Sequence, residues 1–271
     1  MIKQAIIPLA GLGTRLLPLT SVIPKELLPI NGKPNLEYIL EECLEAGINQ
    51  FIFIISKEKI SIKKYFFNDS FYKKVIKIKK DKRIIEEFRK IKKYQKMIKF
   101  VFQNKPKGTG DAVLKCRRLI KNNFFLMLLP DDLIIKKNCT KEMIKLHNKT
   151  KGSIIAAKRV KRKTVSRWGI LSIKNKNKNY FQINDVIEKP SIKKAPSDYA
   201  IIGRYILPIS IFDEIKKLKP GQGGEVHITD AIRNLILKGN IFFGNIFKGK
   251  YLDCGTINGY IQSGIQIFKG N

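Results

Sequence analysis

Cysteine and histidine are scarce in this chain, and their scarcity excludes several kinds of site. The 271 residues include four cysteines, none of them in a C-x-x-C pair, and two histidines. Structural zinc sites are built from clustered cysteine and histidine ligands, and disulfide frameworks show a recognisable cysteine spacing. The sequence therefore predicts neither kind of site. Scattered cysteines of this sort are typical of a reducing compartment, so we expect a cytoplasmic protein.

Long apolar runs and negative charge are also lacking. No apolar run reaches the roughly 20 residues that cross a bilayer, and the first residues do not have the layout of a signal peptide. Lysine and arginine number 54 against 22 acidic residues, which gives a formal charge of +32. Such an excess can mark a nucleic-acid-binding protein. The lysines are nevertheless spread along the whole chain among Ile and Asn, as AT-rich coding also produces, so we expect neither a nucleic-acid nor a membrane partner.

Apolar residues are plentiful, and in the first half of the chain they alternate between strand-like and helical spacing. The pattern predicts strands over residues 4–9, 51–55, 100–103 and 124–129. It predicts helices over residues 35–46, 84–94 and 109–120, and the proline-rich stretch 11–34 predicts a long ordered loop. Strands that alternate with helices are typical of a layered α/β domain with a largely parallel sheet.

The second half of the chain has strands in succession instead. They are predicted over residues 153–160, 169–173, 180–188 and 199–207, followed by helices over 211–218 and 229–237, a strand over 241–247 and a final helix after Gly255. We predict one globular domain over residues 1–271. Residues 1–150 resemble a nucleotide-binding half, and residues 151–271 resemble an insertion that completes a pocket.

A phosphate-binding loop is predicted directly after the first strand, at Gly11-Leu12-Gly13-Thr14-Arg15. Glycines let backbone N–H groups approach phosphate oxygens, and a guanidinium suits the charge of a triphosphate. The spacing is neither the Rossmann fingerprint nor a P-loop, and two glycines alone would indicate only a turn. Lys25 follows between Pro24 and Pro29, which restrict the backbone on either side of it. The combination favours a site for phosphates.

Two aspartates are candidate metal ligands. Asp131 follows the strand over 124–129, at the edge where open α/β sheets bind ligands, and Asp253 precedes a Cys-Gly turn. Mg²⁺ prefers oxygen ligands and commonly takes one or two protein carboxylates. The two residues could therefore share one Mg²⁺ ion, although a solvated turn is the plainer reading of Asp131-Asp132 alone. We interpret Asp132 as a capping or orienting residue and not as a ligand.

Further motifs follow in order along almost the whole chain. They are Gln103-(x4)-Gly108-Thr109-Gly110-Asp111, Leu129-Pro130-Asp131-Asp132, Glu188-Lys189-Pro190, Gly203-Arg204-Tyr205, Gly224-Glu225-Val226-His227-Ile228-Thr229-Asp230-Ala231 and Asp253-Cys254-Gly255. With the first loop, they resemble the sugar-1-phosphate nucleotidyltransferase family, and most closely its bacterial-type branch that joins UTP to glucose 1-phosphate. Pro-Lys-Glu at residues 24–26 and Thr229-Asp230-Ala231 favour that branch over the thymidylyltransferases.

The resemblance implies a fold, a reaction and a set of site residues. The fold is a Rossmann-like layered α/β domain with a mixed, mostly parallel sheet and a sugar-binding insertion, of the nucleotide-diphospho-sugar transferase type. The reaction is Mg²⁺-dependent formation of UDP-glucose and pyrophosphate, by a homo-oligomer that is a dimer or a tetramer. The implied residues are Arg15 and Lys25 for catalysis; Ala10, Gly11, Gly13, Thr14, Glu26, Gln103 and Gly108 for the nucleotide; Gly169, Glu188, Lys189 and Gly203 for the sugar phosphate; and Asp131 and Asp253 for the metal.

Two alternatives stay open at this point. The same reaction could use another base or sugar, as in a thymidylyltransferase or another hexose-1-phosphate nucleotidyltransferase. The chain could also be a basic nucleic-acid-binding protein on a degenerate transferase scaffold, which would bind oligonucleotides with strong salt dependence and show no metal-dependent turnover.

Overall fold

The computed structural model describes residues 2–221 and 224–270 of the chain. Its strands are, in chain order, β1 (Gln4–Pro8), β2 (Pro29–Ile30), β3 (Lys33–Pro34), β4 (Gln50–Ile55), β5 (Ile98–Phe102), β6 (Phe124–Leu128), β7 (Asp132–Ile135), β8 (Ser153–Arg159), β9 (Gly169–Lys176), β10 (Tyr180–Glu188), β11 (Tyr199–Pro208), β12 (Phe242–Ile246) and β13 (Lys250–Asp253).

The helices lie between these strands. They are α1 (Asn35–Glu45), α2 (Ile60–Phe67), α3 (Asp69–Lys79), α4 (Lys82–Gln95), α5 (Gly108–Leu114), α6 (Cys139–Thr150), α7 (Ile211–Lys217), α8 (Ile228–Leu237) and α9 (Ile257–Phe268). Short 3₁₀ turns at Thr14–Leu16, Leu19–Ser21, Lys25–Leu27 and Lys57–Lys59 shape the loops that follow β1 and β4. Among the helices of the described residues, none combines the length and the apolar character that a membrane crossing requires.

Within the described ranges, nine strands form one sheet in the order β5-β4-β1-β6-β11-β8-β12-β10-β9. The pairings are parallel from β5 to β6 and between β8 and β12, and antiparallel elsewhere. A smaller antiparallel ribbon joins β7 to β13. The sheet thus passes without a break from the first half of the chain into the second.

The sheet is covered on both faces, because successive side chains of a strand point to opposite sides. In β1 and the residues after it, Ala5, Ile7 and Leu9 contribute to one buried apolar cluster, and Ile6 and Ala10 contribute to the other. Between them the two clusters bury every one of these side chains to at least nine-tenths. The apolar run that predicts β1 is therefore buried on both sides of the sheet, between β4 and β6.

The topology creates a crevice at the carboxyl ends of β1 and β6. From β1 the chain proceeds to β4 on one side, whereas β6 pairs with β1 on the other side. Open α/β sheets bind ligands at such a reversal of strand order. The loop after β1 and the residues after β6 both open into this crevice.

The layered α/β architecture predicted from the sequence is confirmed, and most elements lie within a few residues of their predicted positions. The sheet is mixed but not mostly parallel, because four of its eight pairings between neighbouring strands are antiparallel. One helix is wrong in length. The predicted helix over 109–120 ends at Leu114 and continues as a 3₁₀ turn at Arg117–Leu119. The Gln4 side chain binds this region, with its amide nitrogen 2.9 Å from the Leu119 carbonyl oxygen and its amide oxygen 2.8 Å from the Lys121 nitrogen. These contacts satisfy backbone groups at and after the 3₁₀ turn that follows α5.

Candidate active site

A cavity of about 390 Å³ opens at the crevice and contains most of the predicted site residues. Its lining includes Ala10, Gly11, Arg15, Lys25, Glu26, Gln103, Gly108, Asp131, Gly169, Glu188, Gly203 and Asp253. Thr14 and Lys189 are adjacent in sequence to lining residues, and Gly13 is two residues from Gly11 and from Arg15, but these three do not themselves line the cavity. The structure therefore brings together side chains from both halves of the chain around one cavity.

Two cations from the first loop meet at one carboxylate. The Lys25 ammonium lies 2.5 Å from Asp131 Oδ2, and Nη2 of the half-exposed Arg15 lies 3.7 Å from the same oxygen. Gly13 packs against the stem of Lys25, since a Cβ built on this glycine would lie 3.4 Å from Lys25 Cδ. The loop thus presents both cations to the cavity.

The pKa of Lys25 follows from these surroundings. Burial by itself would lower it, but the carboxylates of Asp131 and Glu26 outweigh burial and raise the pKa above its ordinary value. Lys25 is consequently cationic at neutral pH, as a group that neutralises phosphate must be.

The segments that carry Asp131 and Asp253 are tied together by their backbones. The Cys254 N–H donates to the Asp131 carbonyl at 2.7 Å, and the Gly255 N–H donates to Asp253 Oδ1 at 2.9 Å. A Cβ built on Gly255 would lie 2.7 Å from Arg15 Nη2, 3.1 Å from Asp131 Oδ2 and 3.3 Å from Asp253 Oδ1. The two carboxylates and the guanidinium therefore surround one point beside Gly255.

The donor atoms at this point fit a hard divalent cation. Asp131 Oδ1 is buried and accepts no hydrogen bond from any residue within 2–221 or 224–270. In the same residues, no cluster of three or more His, Cys, Asp or Glu side chains could hold a metal by itself. A pair of carboxylates with an unused buried oxygen suits Mg²⁺, which takes few protein ligands and completes its shell with phosphate and water.

The side chain of Gln103, which lines the cavity, is fixed by its amide nitrogen. That nitrogen donates to Asp111 Oδ2 at 2.7 Å and to the Gly108 carbonyl at 3.2 Å. Gly108 has φ +93°, and a Cβ there would lie 2.6 Å from the Val226 carbonyl oxygen. A side chain at this position would be strained and would clash. Both amide hydrogens of Gln103 are used, so its amide oxygen is the remaining polar atom of the side chain.

The cavity is also lined by residues of β9, β10 and the start of α8. Gly169 pairs with Glu188, whose Oε2 accepts a hydrogen bond from the Thr229 hydroxyl at 3.0 Å. The Lys189 ammonium lies 4.0 Å from Glu188 Oε1 and is about half exposed. A carboxylate with a half-exposed ammonium beside it suits a polar, anionic ligand such as a sugar phosphate.

The carboxylate of Asp132 is held by hydrogen bonds within the protein. It is buried, its Oδ2 accepts from the Gly203 N–H at 3.0 Å, and its Oδ1 accepts from the Tyr251 hydroxyl at 2.7 Å. The guanidinium of Arg204 donates to the Asp132 carbonyl. Asp132 therefore links β7, β11 and β13 beneath Asp131, while both of its carboxylate oxygens are engaged within the protein.

Sequence reasoning missed several residues of this region. Arg167, Trp168 and Tyr251 line the cavity, and the rings of Trp168 and Tyr251 meet edge to face at 6.1 Å. Trp168 is the single tryptophan of the chain and precedes Gly169, a signal that could have marked it. Lys59 was also missed, because nothing in the sequence distinguishes it from the many other lysines.

The carboxylate of Glu26 has a different environment from the one its predicted role suggests. Its side chain is completely buried, and both of its oxygens accept hydrogen bonds from Lys59 Nζ, at 2.7 and 2.8 Å. Glu26 lines the cavity, but its carboxylate is directed into the protein. A nucleotide contact by Glu26 would therefore have to use its main chain.

Comparison with known proteins places this arrangement in a family. A model of the nucleotidyl transferase family matches residues 4–269. The chain belongs to this family. A UTP–glucose-1-phosphate uridylyltransferase of Pseudomonas aeruginosa is 37% identical over 269 residues, which cover 97% of this chain and 95% of that protein.

Solved structures of other nucleotidyl transferases resemble the chain over almost its entire length. A UDP-glucose pyrophosphorylase complexed with UDP-glucose is 36% identical, with a TM-score of 0.88 and full coverage of both chains. A UTP-bound enzyme of the same kind from Acinetobacter baumannii is 29% identical, with a TM-score of 0.84 and coverage of 98% of this chain and 93% of that one.

Proposed function

We propose that this nucleotidyl transferase makes UDP-glucose and pyrophosphate from UTP and glucose 1-phosphate. One observation carries the proposal: Arg15, Lys25, Asp131 and Asp253 converge in a cavity that Gln103 and Glu188 also line. Cations and paired carboxylates at the centre suit a triphosphate with its metal. The uridylyltransferases and UDP-glucose pyrophosphorylases among its relatives support the choice of substrates.

The chemistry is a single in-line displacement at the α-phosphorus of UTP. A phosphate oxygen of glucose 1-phosphate forms the new P–O bond, and the bond to the β-phosphate oxygen breaks to release pyrophosphate. Because the attacking oxygen is already an anion, no general base is needed, and catalysis is positioning plus charge stabilisation. Arg15 stabilises the departing pyrophosphate. Lys25 and Lys189 hold the phosphates of the two substrates against their mutual repulsion.

Asp131 and Asp253 would hold Mg²⁺. When bound, the ion supplies positive charge for the phosphate oxygens that the two substrates bring together. The unused buried oxygen of Asp131 supports this assignment. Glu188, fixed by Thr229, accepts hydrogen bonds from sugar hydroxyls, and Gly169 and Gly203 leave room for the sugar beside it.

The first prediction concerns the base. The amide oxygen of Gln103 is an acceptor that suits the N3–H of uracil, whereas the N3 of cytosine is itself an acceptor. An unpaired polar group costs about 1–3 kcal/mol, so we expect CTP to be used roughly 10- to 100-fold less efficiently than UTP. Pyrophosphate release with Mg²⁺, glucose 1-phosphate and UTP, dTTP or CTP in turn measures this, with product identification by mass spectrometry.

The same panel separates the candidate functions. Thymine presents the same N3–H as uracil, so dTTP is the serious competitor, and a kcat/KM with dTTP above that with UTP would favour a thymidylyltransferase. Omitting glucose 1-phosphate is the matched control and should abolish nucleotide-dependent pyrophosphate release. Turnover that is unaffected by chelation of Mg²⁺ would contradict the proposed metal dependence.

We also propose that the chain assembles as a homo-oligomer, either a dimer or a tetramer. Helix α9 exposes Ile257, Ile261, Ile265 and Phe268, which are 40 to 73% exposed and share one helical face. An apolar stripe of this kind typically marks a contact surface.

Light scattering should give two or four times the chain mass of 31.2 kDa, and Ile261→Glu should lower the measured mass. Ile241→Glu, at an exposed site outside α9, is the control, and a monomeric wild type would refute the assembly.

A further inference from the structure

A second ion pair includes the residue next to Lys25 and is enclosed by protein. Lys59 Nζ donates to both carboxylate oxygens of Glu26, the residue next to Lys25. The side chains of Glu26 and Lys59 are 0% and 7% exposed. Lys59 belongs to the turn after β4, whereas Glu26 belongs to the loop after β1, so the pair exists because those strands are neighbours in the sheet. Lys59 does not line the cavity.

The ammonium of Lys25 is attracted by two carboxylates, those of Asp131 and of the adjacent Glu26. Asp131 Oδ2 is 2.5 Å from this ammonium, and the charge of Glu26 also stabilises the cationic form of Lys25. Coulombic attraction is strong where water is excluded, so an unneutralised Glu26 would compete with Asp131 for the ammonium. Because Lys59 engages both oxygens of Glu26, Lys25 is left to point at Asp131 and the cavity.

The charge states of the pair depend on each other. Burial raises the pKa of Glu26 and lowers the pKa of Lys59, while the attraction between the two groups opposes both changes. Without Lys59, the Glu26 carboxylate would either take up a proton or draw Lys25 toward itself. The first outcome removes the negative charge of Glu26 next to Lys25, and the second moves the Lys25 ammonium.

We infer that Lys59 is a positioning residue for the transfer reaction: it neutralises Glu26, so that the Lys25 ammonium is held toward Asp131 and the substrate phosphates. The inference rests on the proposed function, since it assigns Lys59 a part in aligning the group that meets the phosphates. Lys59 acts only through Glu26 and Lys25 and touches no substrate.

Lys59→Met tests this role, because methionine fills similar space without charge. Partners that orient a binding group typically contribute 10- to 100-fold to activity, so we expect kcat per folded enzyme to fall about 10- to 100-fold. The KM values for UTP and glucose 1-phosphate should change far less, because the phosphates retain their other contacts. A crystal structure of the variant should show Lys25 Nζ displaced from Asp131 toward Glu26.

Two further variants separate positioning from simple stabilisation. Adding Glu26→Gln to Lys59→Met removes the competing charge, so the double variant should recover most of the lost kcat. Lys90→Met is the matched control, since Lys90 pairs with Glu37, a carboxylate that is 1% exposed and lies outside the cavity lining. It should lower the melting temperature and leave kcat at the wild-type value.

Three results would overturn the inference. They are a folded Lys59→Met variant with wild-type kcat, a double variant as slow as Lys59→Met, and a variant structure in which Lys25 still contacts Asp131. Failure of the proposed function looks different, because the wild type itself would then yield no UDP-glucose. In that case the position of Lys25 in the variant structure still decides whether Lys59 directs it.

Discussion

Asp131→Asn should lower kcat about 10²- to 10³-fold, which is the loss typical of removing one preorganised charge-stabilising contact. Asparagine keeps the shape of the side chain but removes the negative charge that Lys25 and Arg15 share. It also replaces one of two carboxylate oxygens that surround the point beside Gly255. We therefore expect the Mg²⁺ concentration for half-maximal rate to rise as well. Initial rates of pyrophosphate release, measured over a range of Mg²⁺ concentrations, give both values.

Asp213→Asn is the matched control for this variant. Asp213 lies in α7, is well exposed and pairs only loosely with Lys216 at 3.7 Å. The same change of charge there should leave kcat and the Mg²⁺ requirement at wild-type values. If Asp131→Asn also behaved like the wild type, Asp131 would hold neither the metal nor the phosphate-binding cations in place.

Arg204→Met should destabilise the protein by about 3–5 kcal/mol, because it leaves a buried carboxylate without its counter-charge. Arg204 is completely buried, and its Nη2 and Nε lie 2.6 and 3.0 Å from oxygens of Glu42. The Thr140 hydroxyl, 2.7 Å from Glu42, would be left to satisfy that carboxylate with little help. Thermal unfolding should show a melting temperature lower by roughly 10 °C for a chain of this size.

Two comparisons decide whether burial is the cause. Arg233→Met removes an ion pair with Asp185 whose arginine is 48% exposed, so its effect should stay below about 1 kcal/mol. Glu42→Gln added to Arg204→Met should recover part of the loss, because a neutral amide needs no counter-charge. Equal melting temperatures for Arg204→Met and Arg233→Met would show that the buried pair stabilises the protein no more than the exposed pair.

The sequence predicted the nine strands of the main sheet and six of the helices because their apolar residues repeat with clear periods. Helices α2, α3 and α6 and the short strands β2, β3, β7 and β13 were missed. Lysines interrupt the apolar pattern of α2 and α3, and α3 buries none of its residues to nine-tenths. The helix α5 ends at Leu114, and the segment that follows it is held at Leu119 by Gln4, which is far away in the chain. Local periodicity cannot report such a tertiary contact.

The candidate site was also predictable only in part, because some of its contacts are made by residues far apart in the chain. Motif spacing and resemblance placed Lys25, Asp131 and Asp253 in one set, and the structure brings them to one cavity. The partnership of Lys59 with Glu26 was invisible, because it arises from the pairing of β1 with β4 and from the exclusion of water around two charges. Their roles in catalysis remain predictions that the variants above will test.

The hydrogen bond from the Cys254 N–H to the Asp131 carbonyl joins a segment near the middle of the chain to one near its end. A fragment that runs from the start of the chain to a residue between 132 and 252 contains both cations of the first loop and Asp131 but lacks Asp253. Such a fragment would have one of the two proposed metal ligands, and we expect no turnover from it. The proposed metal site is complete only when both segments of the chain are present.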